Sequence, residues 1–357
     1  MSAGVTVGTR PAPWPPRWSR WVLACTAAEL IGMAAGSAAA IGGMALVGDS
    51  VGVLPALVVL GLALVGGAAE GLAVGALQFR VLRPWLPGLS RARYVGGTVL
   101  LAVVFWALGM TPSTIMTITG AAADSSATAT DPSPWLIALI SGAGGAIGGV
   151  AFGLVQGAAL RGHVPHPWRW IRPNAVGWAL AVAVITVGAS SVPSGITGIG
   201  VGAYGIGIGV VAGACIGVVT GQALPSLELG LPWWNRTVVD LLCSPLHPVM
   251  SRSLALLRFR GRLSGSSVTL PVQYAEAGAS VIVVYVAEAV NKTWWRSFRD
   301  ADHPVDVRLR GAVHAATGRV VGADDPGYAE LAAAYAAQQQ RVKLPADATL
   351  VRLTLVT

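Results

Sequence analysis

The chain has 357 residues, of which 54% are hydrophobic and only 11% are charged, with a formal net charge of +8. Soluble domains carry roughly 25% charged residues, so this composition excludes an ordinary soluble protein and points to a membrane protein. The positive charge does not call for a nucleic-acid partner, because basic residues also collect on cytoplasmic loops and beside anionic lipid.

The N-terminal segment PAPWPPRWSRW has no secretory cleavage pattern, and the apolar run after it is too long for a signal sequence. Trp14, Trp18 and Trp21 read as interfacial anchors. A membrane-spanning helix needs about 20 mostly apolar residues. Six stretches qualify: 21–47, 52–79, 95–120, 135–160, 174–192 and 198–224.

The links between spans separate by charge. Arg10, Arg17 and Arg20 precede the first span. Arg80, Arg83, Arg91 and Arg93 lie between the second and third, and Arg161, Arg169 and Arg172 between the fourth and fifth. The alternate links carry only Asp49, Asp124 and Asp131. Basic links face the cytoplasm. The expected topology is a multi-pass cell-membrane protein with both termini cytoplasmic.

A repeat runs through the spans. Gly71-x3-Gly75-x2-Gln78-x3-Leu82-Arg83 recurs as Gly149-x3-Gly153-x2-Gln156-x3-Leu160-Arg161. A third copy, Gly213-x3-Gly217-x2-Thr220-x3-Leu224, has lost the Gln and the Arg. The expected unit is a two-helix hairpin used three times. Glycines four apart let helix backbones approach closely, and a Gln one turn on can hydrogen-bond across the contact.

Two acids interrupt the spans. Glu29 lies eight residues past Trp21, or about 12 Å of helix, and Glu70 ten residues before Arg80, or about 15 Å. They sit at similar depth on adjacent spans. An intramembrane acid pair is a proton or ligand site by default, and a structural hydrogen bond is the alternative.

Two other patterns carry less. Gly200-x-Gly202-x-x-Gly205 matches a dinucleotide fingerprint but lies in an apolar span, where helix packing explains it. His163 and His166 lack further ligands for a metal. Cys25, Cys215 and Cys243 have neither disulfide-framework nor zinc spacing and read as free thiols. No metal site is expected.

Composition changes after Trp234. Residues 236–257 read as a broken helix lying on the membrane surface, interrupted by Pro245 and Pro248. Strand-like runs follow at 268–274, 280–286, 305–310, 312–321 and 350–356. Helices are expected over KTWWRSFRDA and over 327–340. Short strands with a few helices suggest a small antiparallel barrel.

The domains expected are a 1–20 tail, a 21–224 six-span bundle, a 225–257 linker with an interfacial helix, and a 258–357 cytoplasmic barrel. The fold class is thus an α-helical membrane bundle fused to an α+β split β-barrel. In Arg258-Phe-Arg260-Gly261-Arg262-Leu-Ser264-Gly265, two glycines bracket a turn and three arginines offer forked donors for phosphate or carboxylate. A solvated basic turn is the alternative reading.

The segments LLCSPLHPVMSRSLALLRFRGRLSG, LPVQY and KTWW, in that order, resemble the deazaflavin-dependent nitroreductase family over residues 236–357. The resemblance implies a split β-barrel fold. It implies that Gly261, Arg262, Ser264 and Gly265 bind the anionic tail of coenzyme F420, with Lys292, Thr293 and Trp294 at the cofactor edge and Tyr328 facing the substrate.

On that reading, Arg258, Arg260 and Arg262 hold the tail. Lys292 neutralises developing charge, Trp294 or Trp295 covers the ring, and Tyr328 donates a proton. The expected activity is hydride transfer to a lipophilic acceptor such as a quinone or nitro compound, with FMN as the alternative cofactor. The expected partners are the lipid bilayer and that acceptor, with no nucleic acid, and a homo-oligomer is left open. The loop VAEAV before Lys292 departs from the family's pattern. It favours the alternative of a degenerate binding or regulatory barrel. A transporter-like bundle is a third reading.

Overall fold

The computed structural model describes residues 14–120, 133–228, 233–262, 265 and 267–356, and only the backbone of Trp233, Trp234 and Arg236. Arg10, Asp124, Asp131 and Ser264 lie outside the described residues. The chain divides into two compact units, Pro15–Glu228 and Met1–Trp14 with Leu229–Thr357.

The first unit holds six long helices: α1 (Trp18–Val47), α2 (Val53–Leu82), α3 (Arg91–Thr119), α4 (Pro134–Leu160), α5 (Ile171–Ser190) and α6 (Ile199–Ala223). A single 3-10 turn, Pro167–Trp170, leads into α5. The 30 residues of α1 extend about 45 Å at the helical rise, more than the roughly 30 Å of a bilayer core. All six spans are long and apolar enough to cross a membrane. Local signals set the ends. Ser90 and Ser133 cap α3 and α4 by accepting from Arg93 N and Leu136 N, and Gly120 ends α3 in the left-handed conformation.

The bundle is apolar on the outside and small or polar within. Leu23, Met44, Leu54, Val65, Leu100, Leu139 and Ile147 are exposed, whereas Gln78, Thr98, Gln156, Asn174 and Thr220 are buried. An exterior of this kind suits lipid and not water.

Each helix packs on the next, and α6 returns to α1 to close a ring. The repeated glycines make three of the six seams. Gly71 and Gly75 of α2 meet Thr98, Val99 and Val95 of α3. Gly149 and Gly153 of α4 meet Asn174, Ala175 and Ile171 of α5. Gly213 and Gly217 of α6 meet Cys25, Thr26 and Val22 of α1. Gly67, Gly145 and Gly209 extend each stripe by one turn. The sequence repeat is therefore a device that docks each even helix onto the following odd one, which gives the ring an approximate threefold repeat.

A second feature repeats with it. Tyr94 OH donates to Gln78 Oε1 at 3.0 Å, Trp170 Nε1 to Gln156 Oε1 at 2.8 Å, and Trp21 Nε1 to Thr220 Oγ1 at 2.8 Å. Gln156 Nε2 also donates to Gln78 Oε1 and Thr98 Oγ1, at 3.1 and 3.2 Å. The polar groups of the three copies thus converge inside the ring, near its arginine-bearing end. Trp21 is fully buried, so it is a core residue and not the interfacial anchor that its position suggested.

In the second unit, α7 (Trp233–Cys243) precedes β1 (Leu254–Arg260), β2 (Ser267–Gln273), β3 (Ala275–Glu276), β4 (Val281–Tyr285), β5 (His303–Leu309), β6 (Ala312–Val321), α8 (Tyr328–Gln338) and β7 (Leu350–Leu355). The strands form one antiparallel sheet in the order β2-β1-β5-β6-β7-β4-β3. The sheet curls into a half-barrel. The two-residue β5–β6 turn has Arg310 and Gly311 at φ 45° and 85°, the type I′ geometry that matches strand twist.

Alternation along each strand builds two layers. Ala255, Leu257 and Phe259 face the interior with Val305, Val307, Val351, Leu353 and Phe298. On the outer face, Leu256 packs under Val239 and Leu242 of α7, while α8 covers Val283, Val321 and Leu350 with Leu331 and Tyr335.

Two expectations are corrected. The first strand begins at Leu254, inside the segment expected to be an interfacial helix through 257. The apolar face of α7 is covered by the sheet and not by lipid. Trp14 is likewise no lipid anchor: it packs beside that layer and donates to Asp306 Oδ2 at 3.1 Å.

Candidate functional site

The turn after β1 is shaped by its own glycines. Gly265, at φ 63°, donates its N–H to Gly261 O at 2.8 Å. Arg260 Nη1 donates to Gly265 O at 3.1 Å, and His303 Nε2 lies 2.7 Å from Arg260 O. The turn abuts the 3-10 helix Trp294–Phe298: Arg262 N donates to Ser297 Oγ at 3.4 Å, and Arg262 Nη1 pairs with Asp300 Oδ2 at 2.9 Å. Two segments more than thirty residues apart in sequence thus form one surface, with Arg260, Gly261, Arg262 and Gly265 on one side and the Trp294 helix on the other.

Lys292 and Thr293 are exposed at the mouth of that helix, and Trp294 is half-buried with its ring edge-on to Phe298 at 6.2 Å. Trp295 is buried, donates to Ala289 O at 3.0 Å, and carries the Arg299 guanidinium over its ring at 4.8 Å. Of the two tryptophans, Trp294 is the one with a face near the surface.

Two expected site residues are placed elsewhere. Arg258 lies on the outer sheet face, 1% exposed, between Thr269 of β2 and Asp306 of β5. Its Nη1 donates to Thr269 Oγ1 at 3.3 Å and its guanidinium stands over Trp14 at 5.4 Å. Strand alternation is the reason: Arg258 points away from the interior that Phe259 fills. Burial pushes the Asp306 carboxyl up, against the Trp14 hydrogen bond and the Arg258 charge, which pull it down. Tyr328 opens α8 inside the outer cluster, and its hydroxyl donates to Ala346 O at 3.0 Å. It packs in a different cluster from that of Trp294, Trp295 and Phe298.

The membrane unit carries a second candidate site. Glu70 Oε2 accepts from Trp106 Nε1 at 2.8 Å, and the Glu70 stem lies against Gly32, one turn from Glu29. Both Glu29 carboxyl oxygens are buried without a hydrogen-bond partner among the described residues. Glu70 forms part of the wall of a cavity of about 620 Å³, which is otherwise lined by Trp106, Phe105, Phe152, Trp178, Ser141 and aliphatic or glycine positions. Phe152 stacks on Trp178 at 4.7 Å and on Phe105 at 6.0 Å.

The two acids were legible in the sequence, but the aromatic wall was not read from it. The signal was there: Trp106 stands 15 residues past Arg91, well inside a span, whereas tryptophans favour the interfaces. No protein-family profile and no curated protein sequence matches the chain.

Proposed function

We propose that the protein is a multi-pass cell-membrane oxidoreductase with cytoplasmic termini, whose half-barrel binds F420 and reduces a lipophilic acceptor, a quinone or nitro compound. One observation supports this reading: the Arg262–Ser297 and Arg262–Asp300 contacts join Arg262, of the segment GRLSG, to the 3-10 helix that begins in KTWW and to the residues just after it, and the resemblance assigns GRLSG and KTWW to a single cofactor site. The fit is partial. Arg260 and Arg262 would hold the anionic tail by charge-assisted hydrogen bonds, Trp294 would lie along the ring, and Lys292 would offset negative charge at the ring edge. Arg258 and Tyr328 have no part in it. F420, when bound, would supply the hydride, and the protein would supply position and electrostatics.

The test is a fluorescence titration of the detergent-purified protein with F420 and, separately, with FMN. Saturable F420 binding that weakens at least tenfold in Arg262→Ala and in Lys292→Ala supports the proposal. Asp300→Asn should tighten binding, because it removes the carboxylate that competes for Arg262. Binding of neither cofactor overturns it.

A second reading is a binding or regulatory module without catalysis. The commitment of the Tyr328 hydroxyl to Ala346 favours it, since the expected proton donor is engaged elsewhere. Cofactor binding without oxidation of reduced F420 by a quinone analogue would select this reading.

A further inference from the structure

The cavity in the helical unit does not belong to the barrel's chemistry, and its lining specifies a ligand class. Its volume of about 620 Å³ falls within the roughly 300–1,000 Å³ of small-molecule sites. The walls are the rings of Trp106, Phe105, Phe152 and Trp178, and the one acidic group among the lining residues is the Glu70 carboxyl. An apolar, ring-lined wall with a single carboxyl suits a lipophilic cation and disfavours an anion.

The acids are not part of the packing repeat. Where α1 has Glu29, the equivalent seam positions are Ala102 and Trp178; where α2 has Glu70, they are Gly148 and Ala212. The ring therefore closes without them in two copies out of three. A carboxylate at this depth is costly without a partner, and a cationic ligand brings that partner with it.

Access is lateral. Leu108, Gly109, Gly144 and Ile147 are cavity-lining and exposed between α3 and α4, the pair that packs most sparsely around the ring. Pro112 lies within α3 and has no N–H to bond the Leu108 carbonyl, which loosens the helix at that rim.

We propose that the membrane unit binds a lipophilic organic cation in this cavity, with Glu70 as its counter-charge and the aromatic residues as its apolar wall. Glu29, one turn from Gly32 and the Glu70 stem, is a second buried carboxyl that is not among the lining residues.

The experiment uses the full-length protein in lipid nanodiscs and isothermal titration with tetraphenylphosphonium and tetraphenylborate, ions of the same shape and opposite charge. The expected result is saturable phosphonium binding above that of empty nanodiscs, no such binding of the borate, and at least tenfold weaker phosphonium binding in Glu70→Gln. Gly144→Trp should abolish binding by filling the cavity. A Cβ at Gly144 meets nothing within 4 Å, so this variant keeps the test decisive should Glu70→Gln not fold. Equal binding of both ions, binding no greater than that of empty nanodiscs, or phosphonium affinity unchanged in Gly144→Trp overturns the proposal.

Discussion

Trp170 donates its indole N–H to Gln156 Oε1 at 2.8 Å, between two side chains that are each 1% exposed. Gln156 also reaches Gln78 and Thr98, so one amide ties three helices together. Gln156→Leu should strand the indole donor and remove all three bonds, at about 1–3 kcal/mol for a buried group left unpaired. A melting temperature in detergent lowered by several degrees is the expected result. Thr220→Val removes two bonds, from Trp21 and to the Ile216 carbonyl of its own helix, and should lower it less.

The glycine seams predict a sharp contrast between neighbouring positions. A Cβ on Gly149 would run into the Asn174 carbonyl oxygen and the Ala175 backbone, whereas one on Gly144 would meet open space. Gly149→Ala should therefore destabilise the bundle by about 1–3 kcal/mol through overpacking, and Gly144→Ala should be neutral. Thermal unfolding of the two variants side by side checks this.

Arg258 is expected to act on stability and not on cofactor affinity. Arg258→Ala removes the Thr269 bond and the stacking on Trp14, and leaves Asp306 without its neighbouring positive charge. Losing a hydrogen bond to a buried charged group costs about 1.5–3 kcal/mol, and Arg258→Met, which keeps the stem, should cost less. Unfolding curves should shift for both, while ligand affinity of the protein that remains folded stays unchanged. A selective loss of F420 affinity at full stability would return Arg258 to the cofactor site.

Cys243 gives a pH signature in the second unit. Burial pushes its thiol from an ordinary 9.0 up to about 11, although Arg308, whose Nη1 lies 3.4 Å from the sulfur, draws it down. The folded chain therefore holds this proton more tightly than the unfolded chain. The stabilisation it contributes is complete below about pH 9 and is lost as pH rises through about 11. Unfolding midpoints measured from pH 8 to 11 should fall with a slope that Cys243→Ser reduces, the remainder coming from Tyr274 and Tyr335, whose hydroxyls burial also pushes up. Iodoacetamide should modify Cys243 at least tenfold more slowly in the folded protein at pH 8, because the thiolate is the nucleophile.

Much of this architecture could be read from residue order. The six spans, the glycine repeat and most strands were visible because each follows from a local rule: span length, i,i+4 spacing or alternation. The strand Leu254–Arg260 was not read, since LALLRFR lacks β-branched residues and its charged positions looked like part of a turn. Alternation turns those same arginines outward, and only pairing with β2 and β5 shows that Arg258 is buried there. The role of Trp14 is hidden from local sequence for a related reason: its partners Asp306 and Arg308 lie almost three hundred residues away.

The sequence by itself determined that this chain has an apolar six-helix part with glycine stripes and paired acids, followed by a β-rich part, because hydropathy and periodicity are properties of short segments. Tertiary structure alone decided what the stripes dock against, that Gln78, Gln156 and Thr220 converge inside one ring, that Glu70 borders an aromatic cavity, and that Arg258 and Tyr328 are buried on the outer face of the sheet. Those outcomes depend on which distant segments share a seam, and closing the ring and curling the sheet are the steps that bring them together.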